Sequence, residues 1–463
     1  MTIDSTSRRR RIPTAGAVLL LVALPAGVSA QQSPSGATSA EPISYSLSLG
    51  EAARMAAERN ASVQQARSRV EGAQARVRES TSDLLPSVDG TATRGAHTLN
   101  SASFGLDFTI PGQPSFFDPE GEIIGPVRSA DVRASIDVPL LDFGALGRRR
   151  SAQAGVDAAR QEERAVGEVA AASGARAYVA ALRARAEVQA RDQDLQLAQD
   201  LLAVAQGLVD AGVGVALDVT RAQAQIATVR AQLLGARHRA EVTSLALRRT
   251  LRLPPDAVVE LTGTLDEGAE EAPAEEVAVA GALDGRQDLA TAEAYRDAAS
   301  ESLAAVRAGR LPKLSLAADE GYYGKRFGHM LRTYSWGLRV SVPLFDGFKR
   351  SAQMEEEQAR IHEIEFRLED MRADVSFQVR QALLNLSAAR EQVGATAERL
   401  RLAQLEVDQE EERVRAGVSG TADVVRAAMR LNEARTAQLD VLAALQSARV
   451  SLASAMGTVT KLP

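Results

Sequence analysis

The fourteen residues Val209–Ala222, VDAGVGVALDVTRA, return at Val414–Ala427 as VRAGVSGTADVVRA. At a constant offset of 205, eight of the fourteen positions are identical: Val, Ala, Gly, Val, Asp, Val, Arg and Ala. Each copy sits between two long Ala-rich helical patterns. Gly212 and Gly214 break the first pattern and Asp218 restarts it; Gly417 and Gly420 break the second and Asp423 restarts it. Gly after one helix and Asp at the start of the next are stop and start signals. Each copy reads as the tight turn of a long helical hairpin.

The helices that enter these turns carry a seven-residue stripe. Val379, Leu386, Val393, Leu400, Val407 and Val414 are spaced by seven, as are Val188, Leu195, Leu202 and Val209. Positions three further on are mostly small: Ala198, Ala205, Ala389 and Ala403. A sustained heptad predicts helices that pack along their length rather than through one globular core. A cytoplasmic coiled-coil scaffold would show the same stripe.

Between these helices the period changes. Val132, Ala134, Ile136 and Val138 alternate with Asp131, Arg133, Ser135 and Asp137. Val88, Gly90 and Ala92 alternate with polar neighbours before them, and Phe104–Ile110 extends that strand. Residues 111–126, rich in Pro, Gly and Phe, read as the connecting loop. The second half repeats the pattern, with Trp336, Leu338, Val340 and Val342 against Ser335, Gly337, Arg339 and Ser341. Both exit strands end alike, Val138-Pro139-Leu-Leu-Asp142 and Val342-Pro343-Leu-Phe-Asp346. Pro139 to Gly212 is 73 residues and Pro343 to Gly417 is 74. One unit is therefore duplicated: helix, strand, strand, very long helix, turn, returning helix.

Geometry narrows the class. A helix of about 67 residues is on the order of 100 Å long. Four strands per chain cannot close a barrel, whereas three chains would supply about twelve strands and an open lumen. Alternation to a polar opposite face, with Tyr334 and Trp336 at an interface, favours a membrane barrel over soluble hairpins that cap a coiled coil. The expected fold is mainly α with a small transmembrane β part, a duplicated unit whose strands, taken from three chains, would close a 12-stranded β-barrel.

The termini and linkers fit an exported protein. Residues 1–30 read as a signal peptide, with Arg8–Arg11, an apolar run and Val28-Ser29-Ala30. Its removal takes four Arg and one Asp, so the formal charge of −6 falls by three to −9. That balance argues against nucleic acid as a partner. Residues 31–47 form a flexible lead. The first repeat covers 48–253, opening on a Ser48/Glu51 capping box with a break near Asn60. Residues 254–285 are an acidic linker or equatorial segment, its charge run solvated and some structure packed on the middle of the helices. The second repeat covers 286–457, and 458–463 is a short tail.

Catalytic signals are missing. The chain has no Cys, so no thiol nucleophile or zinc-thiolate site exists, and its four His stand at no metal-ligand spacing. There is no G-x-S-x-G elbow and no phosphate loop. No catalytic residue, metal or cofactor is expected. Helical carboxylates recur three or four residues from Arg and read as surface pairs. Arg148–Arg150 and Lys349–Arg350 follow the strand exits. They fit either solvated charge at a helix start or contact with lipid phosphates.

Taken together, LSLGEAARMAAERN at the start, LLPSV and RLPKL before the strands, VPLLDFG and VPLFDG after them, and A-G-V-x4-D-V at both turns resemble the TolC-like outer membrane efflux proteins. The resemblance spans about residues 47–459. It implies a homotrimer, a 12-stranded outer-membrane barrel surrounded by lipid and continued by a 12-helix periplasmic tunnel, and docking to a periplasmic adaptor and an inner-membrane pump. It places adaptor docking at Gly212-Val213 and Gly417-Val418, and tunnel closure at Asp218 and Asp423. Arg221 and Arg426 follow these aspartates by three; at the Arg426 position some members carry a second acid instead, and Ser419 stands where some carry a basic partner. A periplasmic adaptor or a barrel-less coiled-coil scaffold is the competing class. An adaptor has one hairpin, and a scaffold would leave the strands without apolar partners.

Overall fold

In the computed structural model, residues 44–104, 121–266, 272–416 and 418–463 are described. The signal peptide, most of the lead, the strand extension beyond Phe104, most of the connecting loop, the middle of the acidic run and Gly417 lie outside the described residues.

The chain opens on strand β1 (Ser44–Leu47), then helices α1 (Leu49–Arg59) and α2 (Ala61–Ser82). The Ser48 hydroxyl accepts from the Glu51 N–H at 3.2 Å and the Glu51 carboxylate accepts from the Ser48 N–H at 2.7 Å. That reciprocal cap starts α1 as its sequence requires. Asn60 caps α2, accepting from the Ser62 N–H at 3.0 Å. Strands β2 (Ser87–Asn100) and β3 (Ile123–Leu141) lead into α3 (Phe143–Asp210) and the returning α4 (Ala216–Thr250). Strand β4 (Val258–Leu261) follows, then α5 (Glu275–Gly285), α6 (Gln287–Ala308), β5 (Lys313–Gly324), β6 (Met330–Ser341), α7 (Lys349–Arg415) and α8 (Thr421–Met456). Element lengths recur between the halves: 11 and 11 residues for α1 and α5, 22 and 22 for α2 and α6, 68 and 67 for α3 and α7.

Ser44–Leu47, read from sequence as the end of a flexible lead, is instead strand β1. It pairs in parallel with β4, inside the segment read as a linker. The backbone N–H groups of an apolar stretch need partners, and β4 supplies them. The tail is also tied down: Gly50 N–H donates to the Pro463 carbonyl at 2.8 Å.

Packing is distributed along the helices. Near the strands α2, α3, α6 and α7 lie side by side in that order. Towards the turns α3 packs on α4 and α8, and α7 on α8. Several separate apolar clusters replace one core. Small Ala side chains let these helices approach closely, and Ala198, Ala205, Ala389 and Ala403 are all buried. On α7 the predicted stripe holds: Val379, Leu386, Val393, Val407 and Val414 are buried. On α3 it slips. Val188, Leu195, Leu202 and Val209 are only half-buried, and the buried seam runs through Glu187, Arg191, Asp194, Ala198, Leu201 and Ala205. The reason is the neighbour: α8 lies on that face of α3.

The second sheet is antiparallel, in the order β2-β3-β5-β6, and its outer strands β2 and β6 pair on one side only. Its register puts Val88, Ile136, Ala318 and Trp336 abreast, and two residues away Leu316 faces Leu338. Alternation then sends one face apolar and the other polar.

Candidate functional site

Three regions hold the residues singled out by sequence: the sheet, the strand-to-helix junctions and the hairpin turns. On the sheet, Val132, Ile136, Leu338 and Val340 share one face and are exposed among the described residues. Tyr334 and Trp336 continue that face, and it ends on a charged pair, Arg332 donating to Glu320. The opposite face carries an ion pair from Arg133 to Asp319 at 2.6 Å and one to Asp131 at 3.2 Å. An apolar band of about three residue pairs, bounded by aromatics and then charge, is the profile of a lipid-facing strand.

At the first junction, Pro139 lies in β3 at a register shift. Asp142 caps α3, accepting from the Ala145 N–H at 2.9 Å, and pairs with Lys313 at 2.9 Å. Burial pushes the Asp142 carboxyl up, but Lys313 and the Ala145 N–H outweigh it and hold the group below the usual carboxylate range. The second junction differs despite its shared motif. Pro343 follows the end of β6, and Asp346 stands three residues before the first helical residue, Lys349. It accepts from the Arg350 backbone N–H at 3.3 Å and guanidinium at 3.0 Å. Gly347 (φ +65) and Phe348 (φ +66) intervene in left-handed conformation. The sequences explain this: Phe143-Gly144 follows the first Asp, but Gly347-Phe348 follows the second. Glycine directly after Asp turns left-handed at no steric cost.

Below the sheet, α2, α3, α6 and α7 share a cleft of about 1020 Å³, lined by Arg69, Arg76, Arg148, Glu162, Tyr295 and Arg350 among others. Tyr295 donates to Glu162 at 2.7 Å across it. Arg148 pairs with Asp83 at 2.8 Å.

At the first turn Gly212 has φ +75, its N–H donates to Val209, and the Val213 N–H donates to Leu208 at 3.1 Å. This is a Schellman stop. The second turn uses the same frame, with the Val418 N–H donating to Arg413 at 2.9 Å. Val213 and Val418 are exposed at 76% and 72%, so both turns present an apolar side chain to the outside. Neither aspartate caps its helix. Asp218 and Asp423 are the third residues of α4 and α8, where a carboxylate still faces the positive helix end. Arg221 pairs with Asp218 at 3.2 Å, and Arg426 with Asp423. The Ser419 hydroxyl lies 2.9 Å from Asp423 and 3.1 Å from Glu410. Arg426, then Ser419, hold the Asp423 carboxyl below its usual range. The first turn has Gly214 where Ser419 stands, so only the second turn is laced in this way.

One cluster was not foreseen. Many helical carboxylates do sit in surface pairs, such as Glu398 with Arg401. Glu187 and Asp194 are buried instead, with Arg191 between them. Asp194 accepts from Arg191 at 3.0 Å, Asn432 at 2.6 Å and Arg435 at 2.7 Å. Arg191 also donates to Asn432 and to Thr436, the latter at 2.7 Å. Glu187 pairs with Arg239 of α4 and with Arg183, which also reaches Asp440 of α8. Burial raises the Glu187 carboxyl, but Arg239 and then Arg183 and Arg191 outweigh it and leave it low. The signal was in the sequence: the four-three spacing of Ala198, Leu201 and Ala205, traced backwards, lands on Asp194, Arg191 and Glu187.

Among the described residues no group of His, Asp or Glu could hold a metal ion, and no helix is long and apolar enough to cross a membrane.

The family model "Outer membrane efflux protein" matches residues 52–251 and 279–458, more than half of the chain. Protein CyaE of Bordetella pertussis is 28% identical over 353 residues, covering 72% of this chain and 71% of its own. Outer membrane efflux protein BepC of Brucella suis is 24% identical over 254 residues, covering 54% and 55%. The solved structure of the outer membrane protein VceC of Vibrio cholerae superposes with a TM-score of 0.68 at 18% identity, covering 88% of this chain and 96% of that one.

Proposed function

The chain belongs to the outer membrane efflux protein family, and from that premise we propose how it builds its export duct. Three copies close the sheet: the free edge of β6 in one copy pairs with the free edge of β2 in the next. The observation that carries this reading is the four-stranded sheet itself. Among the described residues both edges are unpaired over 14 and 12 residues, one face is exposed and apolar, and the other is polar. Long unpaired edges are a liability that barrels remove altogether, and open edges do not occur in hydrocarbon. The apolar face meets lipid and the polar face lines the lumen. The helical layer continues the barrel as a periplasmic tunnel, its flanks α2 and α7 meeting those of neighbouring copies. The recurring element lengths fit a gene duplication that makes three chains pack as six similar units.

The hairpin turns form the periplasmic end. Gly212, Val213, Gly417 and Val418 dock a periplasmic adaptor, and an inner-membrane pump below it supplies the energy. Asp218, Arg221, Asp423 and Arg426 surround the constriction. The duct is passive and carries out no catalysis. A tripartite pump and a type I secretion system need the same exit.

Purified protein should run on unboiled gels as a trimer that heat dissociates, and should give discrete conductance steps in planar bilayers. A monomer recovered from the soluble periplasmic fraction, without conductance, would overturn the proposal.

A further inference from the structure

The two strand-to-helix junctions present apolar side chains and unpaired cations in a fixed order. Leu140 is exposed at the end of β3, and Phe143 and Leu146 on the first turn of α3. Arg149 and Arg150 follow, exposed and in no ion pair among the described residues. At about 100° per residue, Phe143, Leu146 and Arg150 fall within a stripe roughly 60° wide. The stripe is apolar beside the sheet and cationic about 10 Å further along. Arg148 is about 200° from Arg150 and turns the other way, into the cleft, where Asp83 holds it.

The second junction builds the same order from different backbone. Leu344, Phe345 and Phe348 are exposed at 93%, 76% and 72%. Lys349, exposed and unpaired among the described residues, follows directly. Phe348 adopts a left-handed conformation that bulky residues seldom take. Its ring meets Phe345 edge-on, centroids 5.5 Å apart, so the unusual backbone serves an outward aromatic pair rather than the core. The nearby carboxylates are occupied: Asp83 by Arg148, Asp142 by Lys313 and Asp346 by Arg350. Among the described residues, Arg149, Arg150 and Lys349 are left without an anion.

We propose that these junctions bind anionic phospholipid, the apolar side chains entering the periplasmic leaflet of the outer membrane and Arg149, Arg150 and Lys349 holding headgroup phosphates. The inference rests on the barrel reading, because the junctions directly follow β3 and β6, the strands that carry its apolar face. Aromatic residues with cations just beyond them are the interfacial pattern of membrane proteins. The charge sign selects the lipid: three unpaired cations per chain favour phosphatidylglycerol over phosphatidylcholine.

Tryptophan quenching by brominated lipid separates the two claims. Trp336 is the only tryptophan. In vesicles its emission should be quenched by brominated lipid, which tests the barrel alone. A Phe345→Trp, Trp336→Phe protein should be quenched more by bromines near the ester end. Brominated phosphatidylglycerol should out-compete brominated phosphatidylcholine there by about fivefold for each engaged cation. Arg149→Gln, Arg150→Gln, Lys349→Gln should bring that preference close to unity, as should high salt. Leu344→Trp is a second reporter should the first fail to assemble. Quenching at Trp336 with none at either junction reporter means that a neighbouring chain covers the junction, and overturns the proposal. Equal quenching by both lipids overturns the headgroup assignment. An unquenched Trp336 overturns the barrel itself, and the inference with it.

Discussion

Asp194→Leu should weaken the helical bundle far more than its single carboxylate suggests. The side chain is 5% exposed and accepts from Arg191, Asn432 and Arg435. Leucine removes all three bonds and leaves Arg191, 9% exposed, without its counter-charge. Breaking a buried pair from one side costs about 3–5 kcal/mol, because the remaining charge stays desolvated. Arg191 keeps hydrogen bonds only to Asn432 and Thr436, which are neutral, and its remaining anion, Glu187, acts on it without a hydrogen bond and is already engaged by Arg183 and Arg239. The double change Arg191→Leu, Asp194→Leu removes both charges and should recover most of the loss, since apolar replacement of such pairs is often neutral.

Urea unfolding followed by the helical circular dichroism signal reads this out. The single variant should shift the midpoint by roughly 1–3 M at ordinary slopes, and the double variant by much less. Glu398→Ala, which removes an exposed pair with Arg401, should leave the midpoint unchanged. An Asp194→Leu protein with the wild-type midpoint would show that water reaches this layer in the assembled protein, and the argument from burial would fail.

Four further outcomes are expected. Leu338→Lys, on the lipid face near mid-depth, should cost roughly 2–4 kcal/mol in barrel assembly, whereas Ser341→Lys on the polar face should be mild; equal yields of folded trimer would contradict the assignment of faces. Gly212→Trp places a Cβ at φ +75 and crowds the docking turn, so efflux should fail while trimers persist; normal efflux at a normal protein level removes the turn from the adaptor interface. The Glu187 carboxyl is held below its ordinary 4.5, so its contribution is complete above that pH and is lost as pH falls below it; a Glu187→Gln protein should therefore lose less stability than wild type across that acid range, measured by unfolding midpoints. Arg426→Asp adds an acid beside Asp423 and should make the channel more cation-selective and more sensitive to trivalent block in bilayers; unchanged selectivity places this side chain away from the constriction.

Much of this architecture was readable because it is written in periods. The switch from a spacing of seven to a spacing of two marked where both strand pairs lie, but not their inner ends: β3 begins at Ile123, inside the stretch read as a loop, and Ser101–Phe104 is a 3-10 turn where Phe104 was read as strand. The Ser48/Glu51 cap and the glycine turns marked helix ends through local backbone chemistry alone. Strand β1 escaped because four residues paired 214 positions away leave no local pattern. The junctions looked equivalent because both carry Val-Pro-Leu-x-Asp, and their difference lies in the next two residues. Exchanging Phe-Gly for Gly-Phe moved the helix start and turned Phe348 outward. The roles of Asp218 and Asp423 were less legible still. Their pairing with Arg221 and Arg426 follows from spacing, but the Ser419 bridge needs the fold of the turn.

The polar layer on α3 answers a problem that the alanine seam creates. Ala198, Ala205, Ala389 and Ala403 recur every seven residues or multiples of it, so neighbouring helices could slide by a heptad, about 10 Å, and still set alanine on alanine. Arg191 does not tolerate that slip. Shifted by seven, α8 would offer Val425 and Met429, or Leu439 and Ala443, in place of Asn432 and Thr436. The buried guanidinium would keep Asp194 of its own helix but lose both hydrogen-bond partners on α8, and Asp194 would lose Asn432 and Arg435, which is costlier than an alanine mismatch. One charged layer therefore fixes the register that a repetitive seam leaves open, and it does so between α8 and the hairpin of the other half. Stability and register come apart in the Arg191→Leu, Asp194→Leu protein. It should unfold near the wild-type midpoint, yet cysteines placed at Ala198 and Ala428 should crosslink less uniformly than in wild type. Uniform crosslinking in that protein would mean that the turns alone set the register.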